Sequence, residues 1–99
     1  MATAKEIADK IIAENKVAVF SKSYCPYCKR AKDLLDQLKI EYYAIELDVE
    51  ADGAAIQAYL QELSGQRTVP NIFINGKHVG GCDDLFEAKS SGKLQQLLA

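Results

Sequence analysis

Residues 21–35, SKSYCPYCKRAKDLL, set two of the chain's three cysteines a C-x-x-C apart, after an apolar run and at the head of a helical pattern. Three chemistries are open to such a pair. A disulfide between Cys25 and Cys28 would close a very small loop, and short loops gain the least stability from cross-linking. A closed structural zinc site takes four Cys or His ligands. This chain has three cysteines, one histidine (His78) and no second C-x-x-C. A cluster shared between two chains stays open, because each chain would supply fewer ligands.

Redox chemistry fits the local physics best. Cys25 falls at a helix N-terminus, where unpaired N–H groups and the helix dipole favour negative charge. Pro26 suits the first helical position, since its missing N–H leaves no helix bond unmade. Lys22 and Lys29 are close in sequence, Lys29 at i+4 from Cys25. The thiolate is the attacking species in disulfide exchange, so Cys25 is the expected nucleophile. Cys28, one turn on and on nearly the same face, is placed to close a disulfide with it. Two inert core cysteines are the bland alternative, and C-x-x-C after a strand in a βαβ setting argues against it.

The elements that must hold this pair follow from hydropathy patterning. Thr3 and Glu6 form a capping box for a first helix with Ile7, Ile11 and Ile12 on its apolar stripe. VAVF (17–20) suits a strand covered on both faces. A helix over 26–39 carries Tyr27, Ala31, Leu34, Leu35 and Leu38 on one side. EYYAIEL (41–47) alternates, with Tyr43, Ile45 and Leu47 on one side, and completes a βαβ unit with a right-handed crossover. Asp52 starts a further helix with Ile56, Tyr59, Leu60 and Leu63 inward, and Gly65 follows its end. NIFI and KHVGG flank Asn75-Gly76, a strong hairpin signal. The last segment, CDDLFEAKSSGKLQQLL, gives one or two helices broken near Gly92. The predicted architecture is α/β: a four-stranded mixed sheet with helices on both faces.

Composition sets the bounds. A chain of 99 residues is expected to form one domain over 1–99. At this length it hides roughly 60–70% of its unfolded surface, so disulfides are not needed for folding. A net charge of −2 argues against nucleic acid as the main partner. No apolar run approaches the roughly 20 residues of a membrane span, and MATAKEIADK lacks the apolar core of a secretory signal. A reducing compartment, the cytoplasm, and a monomer are therefore expected.

C-P-Y-C at 25–28, Lys22 before it, RTVPNIFI at 67–74 and GGCDD at 80–84 together resemble a dithiol glutaredoxin of the thioredoxin-fold superfamily. The resemblance runs over essentially the whole chain. It implies a glutathione-dependent thiol–disulfide oxidoreductase, with Cys25 as nucleophile, Cys28 as resolving thiol, glutathione as co-substrate and no metal. It also implies a cis bond between Val69 and Pro70. The Val69 N–H and C=O would then pair strand-like with the cysteinyl part of glutathione, next to Thr68. Gly80 and Gly81 allow close backbone approach. The N–H groups of Cys82 and Asp83 would cradle the γ-glutamyl carboxylate, with the Asp83 carboxylate on the ammonium. Asp83 as a mere helix cap is the competing reading. Lys22, with Gln66 or Arg67, would hold the glycine carboxylate, and Tyr27 would flank the glutathione thiol. The expected partners are glutathione and glutathionylated or disulfide-containing proteins.

Other residues receive plainer readings. The Cys82 side chain is expected to be buried, with only its backbone in use; a site of glutathionylation or of a bridge between chains is the alternative. His78 reads as a solvated edge residue. The acidic stretch 41–52 reads as a solvated edge, and Lys22, Lys29, Arg30 and Lys32 as a basic cluster around the thiols, suited to an anionic thiol substrate. Two rival functions stand beside the first. One is an iron–sulfur carrier bridging two chains with glutathione, which Pro26 should hinder by stiffening the turn. The other is a thioredoxin-like reductase, disfavoured because W-C-G-P-C and any Trp are absent.

Overall fold

The computed structural model describes residues 2–99. Thr3 caps α1 (Ala4–Glu14): its hydroxyl accepts the Glu6 N–H at 3.1 Å and the Glu6 carboxylate accepts the Thr3 N–H at 3.4 Å. The expected Ile stripe is only half-buried, and the residue of α1 that disappears completely is Ala8. Lys5 and the Tyr59 hydroxyl both donate to Asp9, tying α1 to the next helix on its side of the sheet.

β1 (Val17–Ser21) is buried at every residue because it lies between two layers. Val17 and Val19 enter one core, Ala18 and Phe20 the other. α2 (Pro26–Gln37) connects it to β2 (Tyr43–Glu46), which pairs parallel with Ala18 opposite Tyr43. α2 stops short of the expected Lys39, which takes a left-handed φ of 58°. The inward face of α2 is Cys28, Ala31, Leu34 and Leu35. Tyr27, expected there, is 56% exposed, so Cys28 takes the buried place in the first turn.

Two further apolar expectations fail at the margins. Tyr43 shares the parity of Ile45 and Leu47 but sits on an edge strand, half-exposed. Leu63 lies in the last turn of α3 (Gly53–Ser64), beyond the covered stretch. Gly53 opens α3 because a Cβ there would lie 1.7 Å from the Leu47 carbonyl oxygen. β3 (Asn71–Ile74) runs antiparallel to β1. It turns through Asn75 and Gly76, at φ 50° and 79°, into β4 (Lys77–Gly80). Positive φ at both central residues is the hairpin geometry that Asn-Gly favours. α4 (Cys82–Ser91) and α5 (Lys93–Leu98) part at Gly92.

The sheet order is β2-β1-β3-β4. Side chains from α2, α4 and α5 close one core around Leu34, Leu35, Leu85 and Leu94. α1 and α3 close the other around Phe20, Ile56, Leu60 and Phe73. This is the expected thioredoxin-like arrangement, a mixed sheet between two helical layers. It brings the ends of β1, β2 and β4 and the start of β3 to one end of the sheet.

Candidate active site

At that end, β1 releases the chain into the short loop that delivers Cys25. The loop is anchored from β2. Fully buried Ser21 donates its hydroxyl to Glu46 at 2.9 Å, and Glu46 also accepts from Lys32 at 2.9 Å. The Ser23 N–H donates to Asp48 at 2.9 Å, and the Ser23 hydroxyl donates to the other Asp48 oxygen. These bonds hold the Asp48 carboxyl below its ordinary range. The acidic stretch is therefore more than a solvated edge: Glu46 and Asp48 fix the loop before the thiols.

Cys25 is the N-cap of α2, and Pro26 fills the first helical position. The Cys25 sulfur accepts the Cys28 N–H at 3.3 Å and lies 3.8 Å from the Val69 carbonyl oxygen. It is partly exposed, whereas Cys28 is fully buried. Burial, then the hydrogen bond with Cys25, pushes the Cys28 thiol up to about 11. An incoming disulfide meets Cys25 first.

The basic cluster is more dispersed than its spacing suggested. Lys29 pairs with Asp33 at 2.9 Å, and Lys32 is held by Glu46. The Arg30 guanidinium stands over the rings of Tyr27 and Phe86, at 6.0 and 5.4 Å from their centroids. Lys22 has no salt bridge among the described residues. It lines a cleft of about 350 Å³ with Arg67, Gln57, Gln61 and two alanines of α3. Gln57 closes this cleft by donating to the Arg67 carbonyl at 2.8 Å. Gln57 escaped the sequence reading. The signal was present: Ala54, Gln57, Ala58 and Gln61 form a small, polar face at helical spacing, away from Ile56 and Leu60.

The Val69–Pro70 bond is cis, as the resemblance implied. Gln66, expected in the cleft with Arg67, instead turns inward. Its amide donates to the Thr68 and Pro70 carbonyls at 3.0 and 2.9 Å. Thr68 is exposed and Val69 half-buried at the rim. The glycine pair lies against this segment: a Cβ on Gly81 would stand 3.6 Å from the Pro70 carbonyl oxygen. Gly80 needs its φ of 125°, and a Cβ there would strike Asp84.

The capping role weighed for Asp83 belongs to Asp84, whose carboxylate accepts the Gly81 N–H at 2.8 Å. Asp83 is exposed and makes no side-chain hydrogen bond among the described residues. The Cys82 side chain is buried and its thiol is pushed up, chiefly by that burial. His78 is exposed on the edge strand β4, as expected, yet its ring tilts onto Phe73 and its Nε2 lies 2.9 Å from Asn71 Oδ1. Among the described residues no three His, Cys, Asp or Glu side chains converge as a metal site.

The glutaredoxin family model matches residues 17–79, which hold the C-P-Y-C turn and the cis-proline segment. The chain is 52% identical over 99 residues to glutaredoxin-1 of Rhizophagus irregularis, covering all of this chain and 98% of the relative. It is 55% identical over 98 residues to glutaredoxin-C6 of rice, covering 99% of this chain and 86% of the relative. A crystal structure of a buckwheat glutaredoxin–glutathione complex superposes with a TM-score of 0.94 at 54% identity, covering 96% of this chain and 86% of that one.

This chain belongs to the glutaredoxin family. Its activity is the family's glutathione-dependent thiol–disulfide exchange, carried by the Cys25–Cys28 pair. Within a glutaredoxin frame the asymmetry of the two sulfurs acquires a purpose. One accepts the Cys28 N–H and is partly exposed. The other lies in the core, its thiol pushed up by burial.

Proposed function

We propose that Cys25 attacks the glutathionyl sulfur of a protein–glutathione mixed disulfide. A bond forms between Cys25 and that sulfur, the old disulfide breaks, and the protein thiolate leaves and takes up a proton. The thiolate of a second glutathione then attacks the sulfur of the bound glutathione. Glutathione disulfide departs and the Cys25 thiolate is restored. One disulfide is consumed and one is formed: the protein sulfur is reduced, the second glutathione is oxidised, and the first stays at the disulfide level throughout, so electrons balance.

A thiol at about 11 is a slow nucleophile at neutral pH, because only its small ionised fraction attacks. Cys28 therefore leaves the Cys25–glutathione adduct time to meet the second glutathione. On a protein disulfide, Cys28 gives up its proton, attacks Cys25 and expels the protein thiol, leaving a Cys25–Cys28 disulfide for glutathione to reduce. The observation that carries this reading is the contrast in access: Cys25 part-exposed, Cys28 fully buried one turn below.

The surrounding residues fit the two ends of glutathione. Lys22 and Arg67, with Gln57 between them, form the cationic cleft for the glycine carboxylate. Thr68 and Val69 offer a strand-like edge beside the Cys25 sulfur, where the cysteinyl unit would lie. At the start of α4, the N–H groups of Cys82 and Asp83 face the γ-glutamyl carboxylate, and the Asp83 carboxylate takes its ammonium. Tyr27 stands exposed beside the thiols, stacked with Arg30, as a wall for the incoming substrate. The protein partners are glutathionylated or disulfide-bonded proteins, met by a monomer. The cytoplasm suits this chemistry, because its glutathione pool can regenerate the reduced pair.

The test compares Cys25→Ser and Cys28→Ser in deglutathionylation of a glutathionylated peptide. Cys25→Ser should abolish turnover, and Cys28→Ser should retain it while losing reduction of a protein disulfide. Equal loss of deglutathionylation in both variants would refute the roles assigned to the two sulfurs.

A further inference from the structure

Behind the cis-proline segment lies a hydrogen-bonded chain that the exchange reaction does not use. Both hydrogens of the Gln66 amide go to backbone carbonyls, those of Thr68 and Pro70, on either side of the Val69–Pro70 bond. Its Oε1 faces the His78 ring, 3.2 Å from Nε2. The same Nε2 lies 2.9 Å from Oδ1 of Asn71, which is 1% exposed and reaches Ser64 with its own amide nitrogen at 3.4 Å. Two acceptors face one ring nitrogen, so Nε2 carries the hydrogen.

Turning the Gln66 amide over would set its oxygen against two carbonyl oxygens, which fixes its orientation. The His78 ring is fixed in turn by Phe73, centroid to centroid 5.1 Å. The amide also reaches the second loop of the site, 4.0 Å from where a Gly81 Cβ would stand. One side chain thus braces the cis-proline segment, and His78 adds a third hydrogen bond that holds it there.

We propose that His78 is a positioning residue for glutathione recognition, acting through Gln66 to hold Thr68–Pro70 in its binding geometry. This rests on the reading that Thr68–Pro70 carries the cysteinyl part of glutathione. Without the Nε2 hydrogen, the Gln66 and Asn71 oxygens lose their donor, and the Gln66 amide is held only by the two carbonyls it braces, so the segment is less firmly fixed. The Cys25 sulfur keeps the hydrogen bond from the Cys28 N–H on α2, and its contact with the segment is the long 3.8 Å one to the Val69 carbonyl. The loss is therefore selective for disulfides that carry glutathione.

The experiment is stopped-flow oxidation of the reduced protein by glutathione disulfide and, separately, by bis(2-hydroxyethyl) disulfide, which lacks the peptide. His78→Phe keeps a ring on Phe73 and removes the donor. It should slow the glutathione reaction about threefold to tenfold, the scale of one hydrogen bond, and leave the other within about twofold. In steady state the KM for a glutathionylated peptide rises while kcat holds. His78→Gln places an amide nitrogen near the Nε2 position and should restore most of the rate. Gln66→Met, which keeps length without the amide, should reproduce the selective loss even if His78→Phe folds poorly.

Equal slowing of both disulfides, no slowing of either, or no rescue by His78→Gln overturns the proposal. A wild-type protein that reacts no faster with glutathione disulfide than with the small disulfide overturns the binding reading and this proposal together. A discriminating wild type beside an equally discriminating His78→Phe overturns the proposal alone.

Discussion

The Cys28 thiol, fully buried and pushed up to about 11, should hide from alkylation while Cys25 reacts. At pH 8 such a thiol is ionised to about one part in a thousand, against about one in four for an ordinary cysteine near 8.5. The ratio is about two hundredfold. Cys25→Ala isolates the cause: it deletes the hydrogen bond and charge next door but leaves burial, the largest contribution. In that variant Cys28 should label with iodoacetamide at least about thirtyfold more slowly in the native protein than in urea, read as peptide mass against time. Labelling at the unfolded rate would refute burial as the source. The same shift has a stability consequence with a definite sign. A thiol raised from 9.0 to about 11 favours the fold fully below about 9, and that contribution is lost as pH climbs through about 11. The loss is about 2–3 kcal/mol, measurable as a falling urea midpoint across that window.

Three further outcomes are expected. Gly53→Ala drives a methyl group to 1.7 Å from the Leu47 carbonyl, and should cost about 3 kcal/mol or more in urea unfolding, as severe overpacking does. Asp48→Ala frees the Ser23 N–H and hydroxyl and should lower kcat/KM by about threefold to tenfold, the scale of one or two hydrogen bonds. Because those bonds depress the Asp48 carboxyl, the anchor is intact above the ordinary carboxylate range and is lost as pH falls below 3.8. Asp83→Ala should raise the KM for a glutathionylated peptide with little change in melting temperature, since the Gly81 cap is Asp84; an unchanged KM removes Asp83 from the site.

Most of the architecture was legible because its signals are local. Thr3 and Glu6 cap α1 as their spacing dictates, Asn75-Gly76 turns the hairpin, and the continuous run at 17–20 is the doubly covered strand. The failures have a common cause. Periodicity tells which way a side chain faces, not how far the neighbouring layer extends, so Tyr27, Tyr43 and Leu63 face inward on paper and water in space.

At the site, the cysteine pair was readable from its spacing, and the cis proline from the family resemblance. The anchors were not. Ser21–Glu46 and Ser23–Asp48 join residues 25 positions apart, a distance over which sequence pattern carries no pairing information. Gln66 shows the same limit, because its partners His78 and Pro70 meet only once β3 and β4 pair. The exchange of Asp83 for Asp84 as cap was decidable in advance: Asp84 stands at the third helical position after Gly81, where a carboxylate returns to the capping N–H.

The strand directions leave the molecule with a working end and a blunt end. The Asn75–Gly76 turn lies at the blunt end, fastened to Lys16 and Leu97 by two 2.7 Å hydrogen bonds, with open space around Gly76. A fluorescent domain spliced in just after that glycine would ride on the rigid hairpin and leave the thiol loops alone. The fold thus supplies an attachment point for a glutathione-poise biosensor at the pole opposite its chemistry.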